Sequence, residues 1–224
     1  MKLSEEKAIV LFSGGQDSTT CLVSAMRVFK EVEAISFDYG QKHLVERTCA
    51  QQIARKLKVP LTYIDDLKLH YSSLVGETAE AQEKNKQVST FVPARNYLFL
   101  GLAAAYAYSQ DIKNIIIGVN QVDYSGYPDC RKESIKAVQQ ALRLCLDYPM
   151  LIIKTPFLTS TKAQIVQRGF EMLGKKKFNE IFALTHTCYK GKRPACGVCN
   201  ACKIRLQGFR EAGIPDPIEY EKQA

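Results

Sequence analysis

The chain has no apolar stretch near the ~20 residues that a membrane-spanning helix needs. Its longest apolar run, Leu98 to Tyr108, falls well short. A secretory leader is not expected either: the first apolar run is too short, and Lys2, Glu5, Glu6 and Lys7 precede it. No internal repeat is visible. No Gly-x-x-x-x-Gly-Lys-Ser/Thr occurs, so any phosphate site is not a Walker A loop. These absences point to a soluble, cytoplasmic protein with no membrane partner. The cytosol keeps thiols reduced, so the eight cysteines need a role other than disulfides.

The 224 residues suffice for one α/β core with an appended module. The formal net charge of +8 suits acidic substrates such as nucleotides and also permits nucleic-acid binding. Lys175-Lys176-Lys177, the one tight basic run, reads as a solvated helix end or loop. Short, β-branched, nearly continuous apolar segments alternate with helical patterns. Strands are expected at Ala8–Phe12, Glu33–Asp38, Leu61–Asp65, Asn114–Val119 and Leu151–Thr155. Helices are expected at Ser18–Phe29, Leu44–Leu57, Arg95–Ser109, Glu133–Asp147 and Lys162–Leu173. Strands covered on both faces and separated by helices imply a doubly wound parallel sheet, an α/β fold of Rossmann-like type. Its ligand belongs beyond the carboxyl ends of the strands, with residues 13–18 at the switch point. The polar stretch Glu77 to Gln87 reads as a surface loop and candidate lid. From Phe178 onward the composition turns to Cys, Lys, Arg, Gly and Pro, so a division into 1–177 and 178–224 is expected.

The most informative segment is Phe12-Ser13-Gly14-Gly15-Gln16-Asp17-Ser18-Thr19-Thr20-Cys21-Leu22. An apolar strand runs into a glycine pair and then a helix. The glycines let the backbone aim its N–H groups at one point, and the helix N-terminus adds partial positive charge. Together they suit phosphate. Asp17 would be out of place beside a bare anion, and it makes sense with a divalent cation between it and the phosphates. A tight Gly-Gly turn with a Ser or Asp helix cap is the plainer alternative. The segment resembles the SGGxDS signature of the PP-loop ATP pyrophosphatases, which cleave ATP between its α- and β-phosphates and activate an oxygen as an adenylate.

The second strong pattern is Cys188-x7-Cys196-x2-Cys199-x2-Cys202. Two overlapping Cys-x-x-Cys units offer three ligands on a tight turn, Cys188 offers a fourth, and Gly197 permits the sharp backbone. Four thiolates suit a closed, structural Zn²⁺ site that folds a segment lacking its own core. An iron–sulfur cluster, a redox pair or unrelated thiols are the alternatives. Cys21, Cys49 and Cys145 read as small core residues, and Cys130 is undecided.

Three further segments fall at the presumed ligand edge. Phe37-Asp38-Tyr39-Gly40-Gln41-Lys42-His43 follows the second strand. In Thr90-Phe91-Val92-Pro93-Ala94-Arg95-Asn96, an Arg and an Asn open a strongly apolar helix, a costly arrangement unless they meet an anion or polar ligand. Asp123-Tyr124-Ser125-Gly126-Tyr127-Pro128-Asp129-Cys130-Arg131 gathers groups able to bond and stack a heterocycle, although Asp and Tyr are common in any Gly/Pro turn.

With SGGQDS, Thr161-Lys162, the cysteines and the closing Phe209…Asp216-Pro217…Tyr220, these segments resemble the 7-cyano-7-deazaguanine synthase family over nearly the whole chain. The resemblance implies an adenine-nucleotide α-hydrolase-like sheet, a C-terminal zinc site and a homodimer. It implies conversion of 7-carboxy-7-deazaguanine, ammonia and two ATP into the nitrile, on the route to queuosine in tRNA. On this reading residues 12–22 bind ATP, and Asp17 holds Mg²⁺. Lys162 and Arg95 meet phosphate or acyl-adenylate charge, although Lys162 alone reads equally as an exposed lysine. Tyr39, Gln41, Asn96, Asp123, Tyr124, Asp129 and Arg131 are the candidates for the deazaguanine. Three positions depart from the family pattern: Lys42 for Arg, Ala94 for Gly, and His186-Thr187 for an aromatic and Ser. Ala94 matters only if its φ must be positive. A tRNA-modifying sulfurtransferase or lysidine synthase-like enzyme would share the phosphate loop, and a zinc-dependent nucleic-acid module would leave that loop unexplained. The spread of positive charge and the small size favour a small-molecule substrate with no nucleic-acid partner.

Overall fold

The structure, a computed structural model, describes residues 3–40, 45–69, 90–122 and 127–222. Five strands form one parallel sheet: β1 Ser4–Leu11, β2 Phe29–Phe37, β3 Leu61–Ile64, β4 Asn114–Ile117 and β5 Ile152–Lys154. Their spatial order is β3-β2-β1-β4-β5. The chain builds outward from β1 to β3, then crosses to the far side of β1 to add β4 and β5. The crevice between β1 and β4 is therefore the topological switch point, where ligands of such sheets bind.

Alternation along β1 shows why the sheet is covered twice. Ala8, Val10 and Phe12 face one core, while Ile9 and Leu11 face the other. The first core is closed by α1 (Gln16–Met26), α2 (Val45–Leu57), α5 (Lys162–Phe182) and α6 (Asn200–Ala212). The second is closed by α3 (Arg95–Ser109) and α4 (Lys132–Cys145). A short 3₁₀ turn at Pro128–Cys130 leads into α4. No helix among the described residues is long and apolar enough to cross a membrane.

The strands lie where the apolar runs predict, and β1 and β2 begin earlier. Three helical features differ from the expectation: α1 ends at Met26, so Phe29 begins β2, and α5 and α6 differ further. Helix α5 continues past Leu173 to Phe182, across the boundary expected at residue 177, with a break at Gly174 (φ 70°, ψ 159°). Its second half inserts Phe178 and Phe182, stacked with centroids 4.0 Å apart, against Phe209 of α6. Helix α6 itself is hidden in the sequence, because its interior face carries Cys202, Arg205 and Phe209 in place of an aliphatic stripe.

One thiol corrects the expectation. Cys145 is exposed, not a core residue. It is the last residue of α4, beside exposed Leu144. Cys21 and Cys49 are fully buried, as read.

Candidate active site and cysteine cluster

The phosphate-type loop is built by its own hydroxyls. Ser13 Oγ accepts from Gly15 N at 3.3 Å, and Ser18 Oγ accepts from Ser13 N at 3.3 Å and donates to Gly15 O at 3.1 Å. Gly14 has φ +78°, and a Cβ there would sit 2.7 Å from the backbone nitrogen of Ala50 and 3.0 Å from the carbonyl oxygen of Glu46. Glycine is thus required both by conformation and by the closeness of α2. Gly15 caps α1 without a side-chain bond. The first-turn N–H groups of Gln16, Asp17 and Ser18 consequently have no intrahelical partner and point out of the helix end, toward an anion site.

That loop opens into a cleft of about 320 Å³ at the carboxyl ends of β1, β2 and β4. Of the sequence candidates, Phe12, Ser13, Gly15, Gln16, Asp17, Ser18, Tyr39, Arg95, Asn96 and Lys162 line it. Gly14 and the buried Thr19, Thr20, Cys21 and Leu22 lie behind the wall and hold the helix in place. The Thr19 and Thr20 hydroxyls donate to the carbonyls of Gly15 (2.8 Å) and Gln16 (2.9 Å). Asp129 reaches the site indirectly, accepting from Asn96 N at 3.1 Å. Arg131 is exposed and does not line the cleft. Gln41, Asp123, Tyr124 and the Glu77–Gln87 stretch lie outside the described residues.

Asp17 and Lys162, 145 positions apart, meet at 2.6 Å through Asp17 Oδ2. Lys162 is the first residue of α5, whose start is set by a capping box: Thr161 Oγ1 accepts from Gln164 N at 3.2 Å, and Gln164 Oε1 accepts from Thr161 N at 2.9 Å. Its side chain is only 7 % exposed. Asp17 Oδ1 and Gln16 Oε1 are buried with no hydrogen-bond partner among the described residues. A buried carboxylate oxygen without a donor is costly alone and suits a cation ligand.

Opposite the loop, Phe37 stacks on Phe99 at 4.1 Å and Tyr39 tilts against the same ring at 5.4 Å. The Arg95 guanidinium lies 5.9 Å from the Tyr39 ring centroid. Burial works against the Arg95 charge, but Tyr39, Asp129 and Cys130 outweigh it and raise its pKa above the ordinary value. Burial in turn raises the Tyr39 phenol against the pull of Arg95. Asn96 donates from Nδ2 to Cys130 Sγ at 3.3 Å, and burial, then Asp129, pushes that thiol up to about 12. Ala94 does adopt a left-handed backbone, φ 56° and ψ 16°.

The C-terminal segment completes the wall. His186 N donates to Gly14 O at 3.1 Å, and its ring Nε2 lies 3.0 Å from Cys188 O. His186, Thr187, Cys188 and Tyr189 all line the cleft. Next to them Cys188, Cys196, Cys199 and Cys202 bring their Sγ atoms within 4.8 Å of one another. Cys196 and Cys202 are 3.9 Å apart, close to the ~3.8 Å edge of a tetrahedron with ~2.3 Å metal–sulfur bonds. Burial opposes a Cys196 thiolate, but the N–H groups of Cys199 and Val198 outweigh it and lower the pKa to about 6. The four thiols could hold a metal ion.

Sequence reasoning missed two residues. Arg205 is fully buried. It donates to both Asp216 oxygens at 2.8 Å, to Thr185 Oγ1 at 2.7 Å and to Thr187 Oγ1 at 3.2 Å, while Tyr220 donates to Asp216 at 2.7 Å. This network ties the chain's end to the cleft wall. Its trace in the sequence is a charged residue on the helical face of Cys202 and Phe209. The second is Glu46, which lines the cleft from the first turn of α2. It shares the helical stripe of buried Cys49, Ala50 and Ile53, an unusual place for a carboxylate.

Comparison with known proteins identifies the family. The family model described as queuosine biosynthesis protein QueC matches residues 7–213. A 7-cyano-7-deazaguanine synthase of Chromobacterium violaceum is 44% identical over 99% of this chain and 96% of its own. Its counterpart in Thermoplasma acidophilum is 40% identical over 98% and 94%. Among solved structures, the NMN synthetase of Francisella tularensis shares the fold at TM-score 0.50 and 16% identity, over 95% of this chain and 79% of that one. The phosphate-type loop, the switch-point cleft and the cysteine cluster thus occur in a chain that belongs to the QueC family of queuosine-biosynthesis proteins.

Proposed function

We propose that the chain converts 7-carboxy-7-deazaguanine and ammonia into 7-cyano-7-deazaguanine with two ATP, each split to AMP and pyrophosphate. The observation that carries the reading is Asp17, with one oxygen on Lys162 and the other buried without a partner among the described residues, at the mouth of a loop of outward N–H donors. A carboxylate is a poor acyl donor, and adenylation gives it a leaving group. Ammonia displaces AMP to form the amide. Adenylation of the amide oxygen, with loss of AMP and protons, gives the nitrile. The loop N–H groups hold the phosphates, and Lys162 and Arg95 balance their charge. Asp17 Oδ1 would hold Mg²⁺, which supplies charge neutralisation at the phosphates when bound. Phe37, Tyr39, Phe99 and Asn96 form the side on which a flat heterocycle stacks and bonds, and Gln41, Asp123, Tyr124, Asp129 and Arg131 stay candidates for its polar edge. The four cysteines would hold one structural Zn²⁺, folding residues 178–224 onto the cleft. The reading includes a cytoplasmic homodimer that needs no tRNA.

The test is a product count. With ATP, Mg²⁺, ammonium and the acid, two AMP and one nitrile form per turnover. The synthetic amide is converted with one ATP and no ammonia. Release of ADP and phosphate, or failure to convert the amide, defeats the double adenylation.

A further inference from the structure

Both nitrogen steps of that reaction release protons, and the proposed function assigns no group to take them. Attack of ammonia on the acyl-adenylate forms the C–N bond, breaks the C–O bond to AMP and frees one proton from nitrogen. Conversion of the amide forms the O–P bond as the Pα–O bond to pyrophosphate breaks, later breaks the C–O bond to AMP, and frees both remaining N–H protons. Lys162 is a cation paired with Asp17, Arg95 is a permanent cation, and both Asp17 oxygens are committed by the reading above.

We propose that Glu46 is the general base of the nitrogen steps, an inference that rests on the proposed function. It enters the cleft from the first turn of α2, next to the phosphate loop: its own carbonyl oxygen lies 3.0 Å from where a Gly14 Cβ would be. Among the described residues, the groups that interact with it electrostatically are Arg95 from α3, Tyr39 from the end of β2 and Cys49 on its own helix, with Arg193 beyond Cys49. Two of these are neutral at pH 7, and Arg95 is shared with Asp129. Glu46 therefore lines the cleft beside the phosphate loop and within electrostatic reach of the Tyr39–Arg95 wall, the two sides between which the proposed function puts the acyl carbon. Burial, opposed by Arg95, raises its carboxyl to about 7. A base so poised both accepts and returns protons near neutral pH.

The experiment separates adenylation from amination in Glu46→Gln. The acid-dependent exchange of labelled pyrophosphate into ATP, without ammonia, reports adenylation alone. It is expected within about threefold of the parent. Amide formation at fixed free-ammonia concentration is expected to fall by about 10²–10⁴-fold, the usual worth of a general base. In the parent, amide formation should decline below a pH near 7, and this limb should vanish in Glu46→Gln while Glu46→Asp keeps part of the rate. Amide formation by Glu46→Gln at the parental rate, or exchange and amination falling together, overturns the role. Absence of acid-dependent exchange in the parent itself sinks the functional reading, and the base with it.

Discussion

Gly208→Ala tests whether Lys162 must stand where it does. Gly208 lies on α6 where that helix crosses the start of α5. A methyl group there would be 2.5 Å from Lys162 Cγ, 2.8 Å from its Cβ and 3.3 Å from its carbonyl carbon. Carbon–carbon contact begins at about 3.5 Å, so the side chain must retreat by roughly 1 Å. It cannot swing aside at its tip alone, because the clash is at its root and the Thr161 capping box fixes its backbone. Overpacking costs about 1–3 kcal/mol, and alanine in a helix interior recovers about 1 kcal/mol. The net loss of about 0–2 kcal/mol leaves a folded protein whose melting temperature falls by no more than about 8 °C. Activity is more sensitive, since a 1 Å misplacement in an active site costs about 100-fold. Circular dichroism melting reads the first quantity, and acid-dependent pyrophosphate exchange the second. Exchange within threefold of the parent would refute the claim that this Lys162 position matters. Loss of the folded state would refute the ledger.

Cys199→Ser should lose metal and soluble protein together, because the fourth thiolate carries folding free energy. Elemental analysis of the parent should show one zinc per chain, and a brown, iron-containing protein would overturn the assignment. Ala94→Gly should stabilise the protein by about 0.5–1 kcal/mol in urea: a left-handed residue with a Cβ costs about 1–2 kcal/mol, partly offset by the extra entropy of an unfolded glycine. An unchanged midpoint would mean that the position carries no strain. Glu46 makes stability depend on pH in a stated direction. Its folded pKa of about 7 exceeds its ordinary 4.5, so the native state binds more protons between the two values and stability falls as pH rises through them. The full effect is about 3 kcal/mol at most. Glu46→Gln should therefore be more stable than the parent at pH 8 and nearly equal at pH 4.5, and urea titrations showing no such convergence would refute the burial of that carboxyl.

The parallel sheet, the phosphate-type loop and the cysteine cluster were legible in the chain because each is written locally. Buried strands are continuous apolar runs, Gly14-Gly15 marks a turn between a strand and a helix, and thiol spacing marks a metal knuckle. The same holds for Arg95 and Asn96, whose polarity at the head of an apolar helix shows in a few residues. What only the tertiary structure decided was pairing over distance. Asp17 and Lys162 are separated by 145 positions, and nothing in either segment names the other. The crossing of α5 and α6 at Gly208 holds Lys162 against the loop, while the Arg205–Asp216 network folds the chain's end onto the wall. Ala94 stands where the family pattern has Gly, but only the backbone around Pro93 shows that its φ is left-handed. Glu46 reads as a solvated helix charge until α2 packs beneath Gly14 and turns it into the cleft. Local sequence carries propensity and ligand spacing, whereas burial, and with it charge state and reactivity, depends on what packs against a residue from elsewhere in the chain.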